Sequence, residues 1–219
     1  QSERALELDP TLAEAHASKG LSLHTAGRYE EADACFQRAI ELKPDLFEAY
    51  LFWGRNCHNR GQYEEAARLF GRAAELKSDD FRAAGLQSMC YQSLGRREEA
   101  VATARLSLAR AEKVVADRPD DADALAFGAG LLAMINETER MKNGTERDAI
   151  IEPDDHYMQY NLACAFAIIG ESNLALDHLE KAMGPQSLKS LKEFMLNDSD
   201  LDVLRSHPRY LALLGKLPD

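Results

Sequence analysis

The sequence predicts an all-α chain, a solenoid of antiparallel helix pairs closed at its C-terminal end by capping helices. Two observations carry this. A phrase ending at Pro10 returns 34 residues later at Pro44 and again at Ser78, and the same interval separates Pro119 from Pro153. Leu6-Glu7-Leu8-Asp9-Pro10, Ile40-Glu41-Leu42-Lys43-Pro44, Ala74-Glu75-Leu76-Lys77-Ser78 and Ile150-Ile151-Glu152-Pro153 are variants of one ending. A period of that length marks stacked supersecondary units rather than one closed core. The composition agrees: Ala, Leu, Glu and Arg dominate a chain that is 45% hydrophobic and 7% aromatic, without β-branched runs, which favours helix throughout.

The elements follow in order. Residues 1–9 read as the back end of a helix belonging to an upstream repeat, so the natural chain is expected to continue before Gln1. Five repeats are then predicted, at about 11–44, 45–78, 79–119, 120–153 and 154–184, with capping helices over 185–219. Counted from Ala13, Phe47, Phe81, Ala122 and His156, the eighth position is small: Gly20, Gly54, Ser88, Ala129, Ala163. The fifteenth is Gly27, Gly61, Gly95 and Gly170, with Asn136 in the fourth repeat, residues that end a helix in the left-handed region at little cost. Each first helix stops there. Second helices open on Glu30-Glu31, Glu64-Glu65 and Glu98-Glu99, where the positive end of the helix dipole favours acid. They carry Ala32, Ala66, Ala100 and Ala175 at the twentieth position, Phe36, Phe70 and Leu179 at the twenty-fourth, and Ala39, Ala73 and Ala182 at the twenty-seventh.

The third and fourth repeats depart from this pattern. Ser78 to Pro119 is 41 residues, seven more than the period, and the surplus falls in Arg96 to Asp117, which holds no Gly or Pro. Seven residues are about two helical turns and return nearly the same face to the core, so one long unbroken helix is expected there. Ser88, Ala104 and Ser107 replace the usual residues of this repeat. The fourth carries Gly128 and Gly130 in its first helix, Met141 at the usual Ala position and Thr145 at the usual aromatic one. It is expected to bury little apolar surface, to be the weak link of the array, and to exchange its amides fastest between Asn136 and Arg147.

Small residues at the eighth, twentieth and twenty-seventh positions, an aromatic near the twenty-fourth and proline at the close resemble the tetratricopeptide repeat. Gly27-Arg28-Tyr29-Glu30-Glu31-Ala32 and Gly61-Gln62-Tyr63-Glu64-Glu65-Ala66 are the closest matches, and the resemblance covers residues 1 to about 184. It implies a right-handed superhelix whose first helices line a concave, peptide- or protein-binding groove, with the second, fifth, ninth and twelfth positions pointing into it. Carried onto this chain, the candidate groove residues are Leu51, Arg55, His58, Arg82, Met89, Tyr157 and Tyr160. Arg55, His58 and Arg82 are expected to form a cationic centre; the half from Met89 to Tyr160 is mostly apolar. The residues of the family's chaperone-peptide clamp are replaced by Ala17, Leu21, Phe52, Arg82 and Leu86. The asparagine ladder of its sugar-transferase members survives only at Asn161.

Other functions are disfavoured. With 37 acidic and 26 basic residues the net charge is −11, and a basic stripe is missing, which opposes nucleic acid. No apolar run approaches the roughly 18 residues of a membrane span. The four cysteines show no paired spacing and read as buried reduced thiols, which places the protein in the cytoplasm; three Asn-x-Ser/Thr triplets are discounted. Gly128-Ala129-Gly130 imitates a dinucleotide fingerprint but sits inside a helix. Asp198-Ser199-Asp200-Leu201-Asp202 imitates a calcium loop, yet Val203 stands where Gly is needed and Arg209 where Glu is needed; helix capping accounts for it. The histidines have no zinc spacing, and no nucleophile, base and orienting acid assemble. No catalytic residue, cofactor or metal is predicted. The tail from Asn197 to Tyr210 is similar to the closing segment of repeat regions appended to bacterial nucleotide cyclases and Ser/Thr kinases, so the alternative to a free-standing scaffold is the regulatory end of such an enzyme. Small-ligand binding is a third reading, expected to show as a deep closed pocket beside Tyr157 and Tyr160.

Overall fold

The computed structural model describes residues 2–143, 155–183 and 188–217. Among the described residues every regular element is helical: α1 (Ser2–Leu8), α2 (Ala13–Thr25), α3 (Tyr29–Leu42), α4 (Phe47–Asn59), α5 (Tyr63–Leu76), α6 (Phe81–Ser93), α7 (Arg97–Asp117) and α8 (Ala122–Met134). Residues 138–143 (α9) follow. The remainder is α10 (His156–Ile168), α11 (Ser172–Ala182), α12 (Leu188–Asn197), a 3-10 helix (Ser199–Leu204) and α13 (Pro208–Leu214). Two compact units are formed, Gln1–Ser107 and Leu108–Asp219, with the boundary inside α7.

The helix ends follow from local chemistry. Gly27, Gly61, Gly95 and Gly170 lie at φ between 70° and 82°, and Asn136 joins them at φ 66°, the expected exception that keeps the same turn. α6, α8 and α10 are capped by Asp80, Asp121 and Asp155, whose carboxylates accept from the backbone N–H of Ala83, Ala124 and Met158. α7 runs 21 residues without interruption through Leu106 to Val114, as the surplus of seven residues requires.

In the N-terminal unit the pairing of small and large residues is a direct contact. A Cβ placed on Gly20 would stand 2.6 Å from Cε1 of Phe36, and one on Gly54 the same distance from Cε1 of Phe70. Both rings are fully buried. The third repeat satisfies the constraint in reverse, with buried Ala104 where the ring would be and a larger Ser88 at the eighth position, its hydroxyl donating to Gly85 O at 2.7 Å. Ser107, buried as well, donates to Phe81 O at 2.6 Å and so links α7 to the start of α6. Between the first two repeats lies a polar network. Asp33 accepts from Trp53 Nε1 and Asn56 Nδ2 at 2.7 Å each and from Arg60 at 2.6 Å, while Asn56 Oδ1 accepts from His24 Nδ1 at 2.9 Å. Asn56 is fully buried, so this mutual satisfaction is what makes its burial tolerable.

In the C-terminal unit α8, α10 and α11 pack together and α13 is tied to α11 by Arg209, which pairs with Asp177 and Glu180 at 2.8 Å. Pro208 begins α13 behind His207, the N-cap. The expectation that the fourth repeat buries little needs correction at Met141, which is fully buried in a core with Ala126, Ala129 and Ala133. Its length reaches across space that an alanine would leave empty. An open cleft of about 170 Å³ lies beside it, lined by Leu108, Ala111, Val115, Gly128 and Leu132 among others. Thr145 and Arg147 lie outside the described residues.

Candidate binding surfaces

The predicted groove residues fall into two groups, one in each unit. Leu51, Arg55 and His58 share α4 at spacings of four and three residues, hence one face of the helix. Leu51 is 6% exposed and belongs to the core with Tyr50, Cys57 and Phe70, so it supports this face from within. His58 is half-buried with its ring edge-on to Tyr63 at 5.3 Å. Arg55 is half-buried and, among the described residues, has neither a hydrogen bond nor an ion pair. On α6, Met89 is half-buried. Arg82 lies against the Phe81 ring and is held by Asp80 at 3.0 Å. Its charge is thus engaged by the carboxylate that caps its own helix, and of the expected cationic centre Arg55 alone keeps an uncompensated guanidinium.

Tyr157 and Tyr160 behave oppositely. Tyr160 is 7% exposed; its hydroxyl donates to Asp198 Oδ2 at 2.8 Å and its ring meets Phe194 at 5.7 Å. Burial first, with Cys164 and the Asp198 carboxylate beside it, pushes the phenol well above its usual range. The C-terminal segment therefore covers Tyr160, a contact between residues 38 positions apart that periodicity does not announce. Tyr157 is 57% exposed and lines a concavity of about 470 Å³, together with Arg118, Asp120, Asp121, Asp123, Asp155 and Met158 among others. Arg118 pairs with Asp121 at 2.7 Å, and Asp121 and Asp155 are the caps of α8 and α10. The closed pocket expected beside both tyrosines is replaced by an open acidic one beside Tyr157 alone. Of the aspartates lining it, Asp123 stands at the second, groove-facing position of its repeat, whereas Asp120, Asp121 and Asp155 occupy none of the groove positions; the Asp120-Asp121-Ala122-Asp123 run was the available signal for the first two.

Cys164, Asp198 and Asp200 offer donor atoms within 4.8 Å of one another, the chemistry of a possible cation site. The fit is poor. Asp198 spends one oxygen on the Asp200 N–H at 3.0 Å and the other on Tyr160, with Cys164 Sγ at 3.6 Å, while burial first, then Asp198 and Asp200, raises the thiol far above its usual range. Asp198 caps the 3-10 helix, as the sequence reading proposed. The four cysteines are free thiols, and burial pushes those of Cys57 and Cys90 up to about 12. Among the described residues no helix is long and apolar enough to cross a membrane.

Residues 13–46 match the tetratricopeptide repeat family model. No curated protein sequence matches the chain. Among solved structures the chain is similar to YrrB, described as a tetratricopeptide-repeat protein with an unusual peptide-binding site, at 18% identity and TM-score 0.54, over 99% of this chain and 98% of that one. It is similar to a MamA double mutant at 18% identity and TM-score 0.51, over 78% of this chain and 92% of that one. The anaphase-promoting complex assembly Cut9–Hcn1 aligns at 14% identity and TM-score 0.64, over 98% of this chain and 44% of that one. At these identities the likeness is one of fold: the described residues form an all-α chain of helix pairs similar to these tetratricopeptide-repeat structures.

Proposed function

We propose that this chain is a protein-interaction module that holds a peptide or protein segment against the first helices of its repeats, without catalysis of its own. The observation that carries the reading is Tyr157. A tyrosine 57% exposed that lines a concavity of about 470 Å³ is surface that folding has not used, with the amphipathic character of an interface anchor. Arg55, His58, Arg82 and Met89 extend the reading to the first helices of the N-terminal unit, with Leu51 and Tyr160 as supports beneath the surface. YrrB, similar in fold, is described as having a peptide-binding site, which is consistent with this role. Free thiols and net charge −11 fit a reducing, cytoplasmic setting and a partner other than nucleic acid.

The test is to replace Tyr157 by a photo-crosslinking phenylalanine analogue, irradiate in native lysate and analyse adducts by mass spectrometry. A defined protein adduct at that position, absent when the same analogue replaces exposed Glu75 on α5, is expected. Equal, heterogeneous labelling at the two positions would sink the proposal. The same concavity is the feature on which a small-ligand reading would rest; a small-molecule adduct in place of a protein would favour it.

A further inference from the structure

Arg55 is the feature that the fold itself leaves unexplained. Many arginines of this chain have a carboxylate three residues away: Arg28 has Glu31, Arg38 has Glu41, Arg68 has Glu65, Arg72 has Glu75 and Arg96 has Glu99. Arg97 and Arg105, which have none among the described residues, are exposed, whereas Arg55 is half-buried. Around Arg55 the positions three and four residues off are Leu51, Phe52, His58 and Asn59, none of them acidic. Nor does a neighbouring helix compensate. Arg60, Arg82, Arg205 and Arg209 are half-buried too, and each has a carboxylate within 3.0 Å. Arg55 has none among the described residues, which in its unit include every side chain from Arg4 onward.

Arg55 is half-buried as a residue and its guanidinium has no carboxylate among the described residues, so its N–H groups are available to an incoming carboxylate through two parallel hydrogen bonds. Extending the peptide-binding reading above, on which this rests, we infer that Arg55 recognises one Asp or Glu side chain of the bound segment. The partner is a peptide with a single acid beside apolar residues. Half-buried Phe52 lies one turn away on the same helix, offering apolar contact, whereas a polyacidic partner would meet the long-range repulsion of a chain at −11. The chaperone-peptide clamp is a different arrangement, and its residues are missing here.

The experiment selects binders to the full-length chain from a random linear peptide library and measures Kd for an enriched peptide by fluorescence anisotropy. Enriched peptides should share one acidic position next to apolar ones. Arg55→Ala should weaken binding roughly tenfold to a hundredfold, as expected for a charge-assisted hydrogen bond, and Arg55→Lys should recover only part. Changing the peptide acid to its amide should cost as much on the wild type and nothing more on Arg55→Ala. Arg55→Gln, which keeps most of the stem, serves if the alanine variant melts differently. Peptides that bind with the same Kd to Arg55→Ala and wild type would show that Arg55 is a stem packed on the surface with its head in water. That outcome overturns the inference and leaves the binding role standing. Failure to enrich any peptide would overturn the linear-peptide reading of that role and the inference with it.

Discussion

Glycine to alanine substitutions at two first-helix positions should change stability in opposite directions. In a helix interior alanine is favoured over glycine by about 1 kcal/mol. At Gly128 the new Cβ would have Leu108 Cδ1 at 4.0 Å as its nearest neighbour, ordinary contact at the edge of the 170 Å³ cleft, so the propensity gain survives. At Gly54 the new Cβ would stand 2.6 Å from Cε1 and 2.7 Å from Cδ1 of a Phe70 ring that is fully buried. Restoring contact there requires a displacement on the order of an ångström in a packed core, and overpacking of this kind costs about 1–3 kcal/mol. Gly128→Ala should therefore stabilise by about 1 kcal/mol and Gly54→Ala destabilise by up to about 2 kcal/mol. Urea unfolding followed by circular dichroism reports both units; fluorescence of Trp53, the single tryptophan, reports the N-terminal one. A Gly54→Ala protein as stable as wild type, with an unshifted Trp53 transition, would refute the claim that the eighth position is small because the aromatic ring touches it.

Two further outcomes follow from the C-terminal unit. His178 is buried, stacked on Phe166 at 5.2 Å and bonded to Gln159 Oε1 at 2.7 Å; burial, then the Lys181 charge, lowers its pKa from 6.5 to about 4. Because the folded value is the lower one, its contribution is intact above pH 6.5 and is lost as pH falls towards 4, by about 3 kcal/mol at most, and urea midpoints measured between those limits should flatten in His178→Leu relative to wild type. Amide hydrogen exchange in the fourth repeat, over residues 136–143, should be faster than over Ala66 to Ala74, because two glycines in its first helix lower its helix propensity and an open cleft of about 170 Å³ borders it; equal protection would remove that reading.

What the sequence by itself determined is whatever depends on neighbours along the chain. The left-handed turn at Gly27 or Asn136 is a property of one residue's backbone, the 21-residue span of α7 follows from seven extra helix-forming residues, and Asp198 caps the 3-10 helix two residues away. These were legible because dihedral preference and helical period act within a turn or two. Tertiary structure alone decided which candidate groove residues remain open. Tyr157 and Tyr160 sit on one helix three residues apart, yet a segment 38 residues further on covers the second and leaves the first in solvent. Met141 stands where the motif has alanine, in a repeat expected to bury little, and is fully buried, because the distance between helices, rather than its place in the motif, sets how much side chain fits. Asp33, His24, Asn56 and Arg60 gave no pattern to read and became one network. Arg55 reverses the case: its lack of a local acid was visible in the sequence, but only the packed unit shows that, among the described residues, no acid reaches it from another helix. Desolvation and pairing are sums over everything within a few ångströms in space, and a one-dimensional period constrains only part of that neighbourhood.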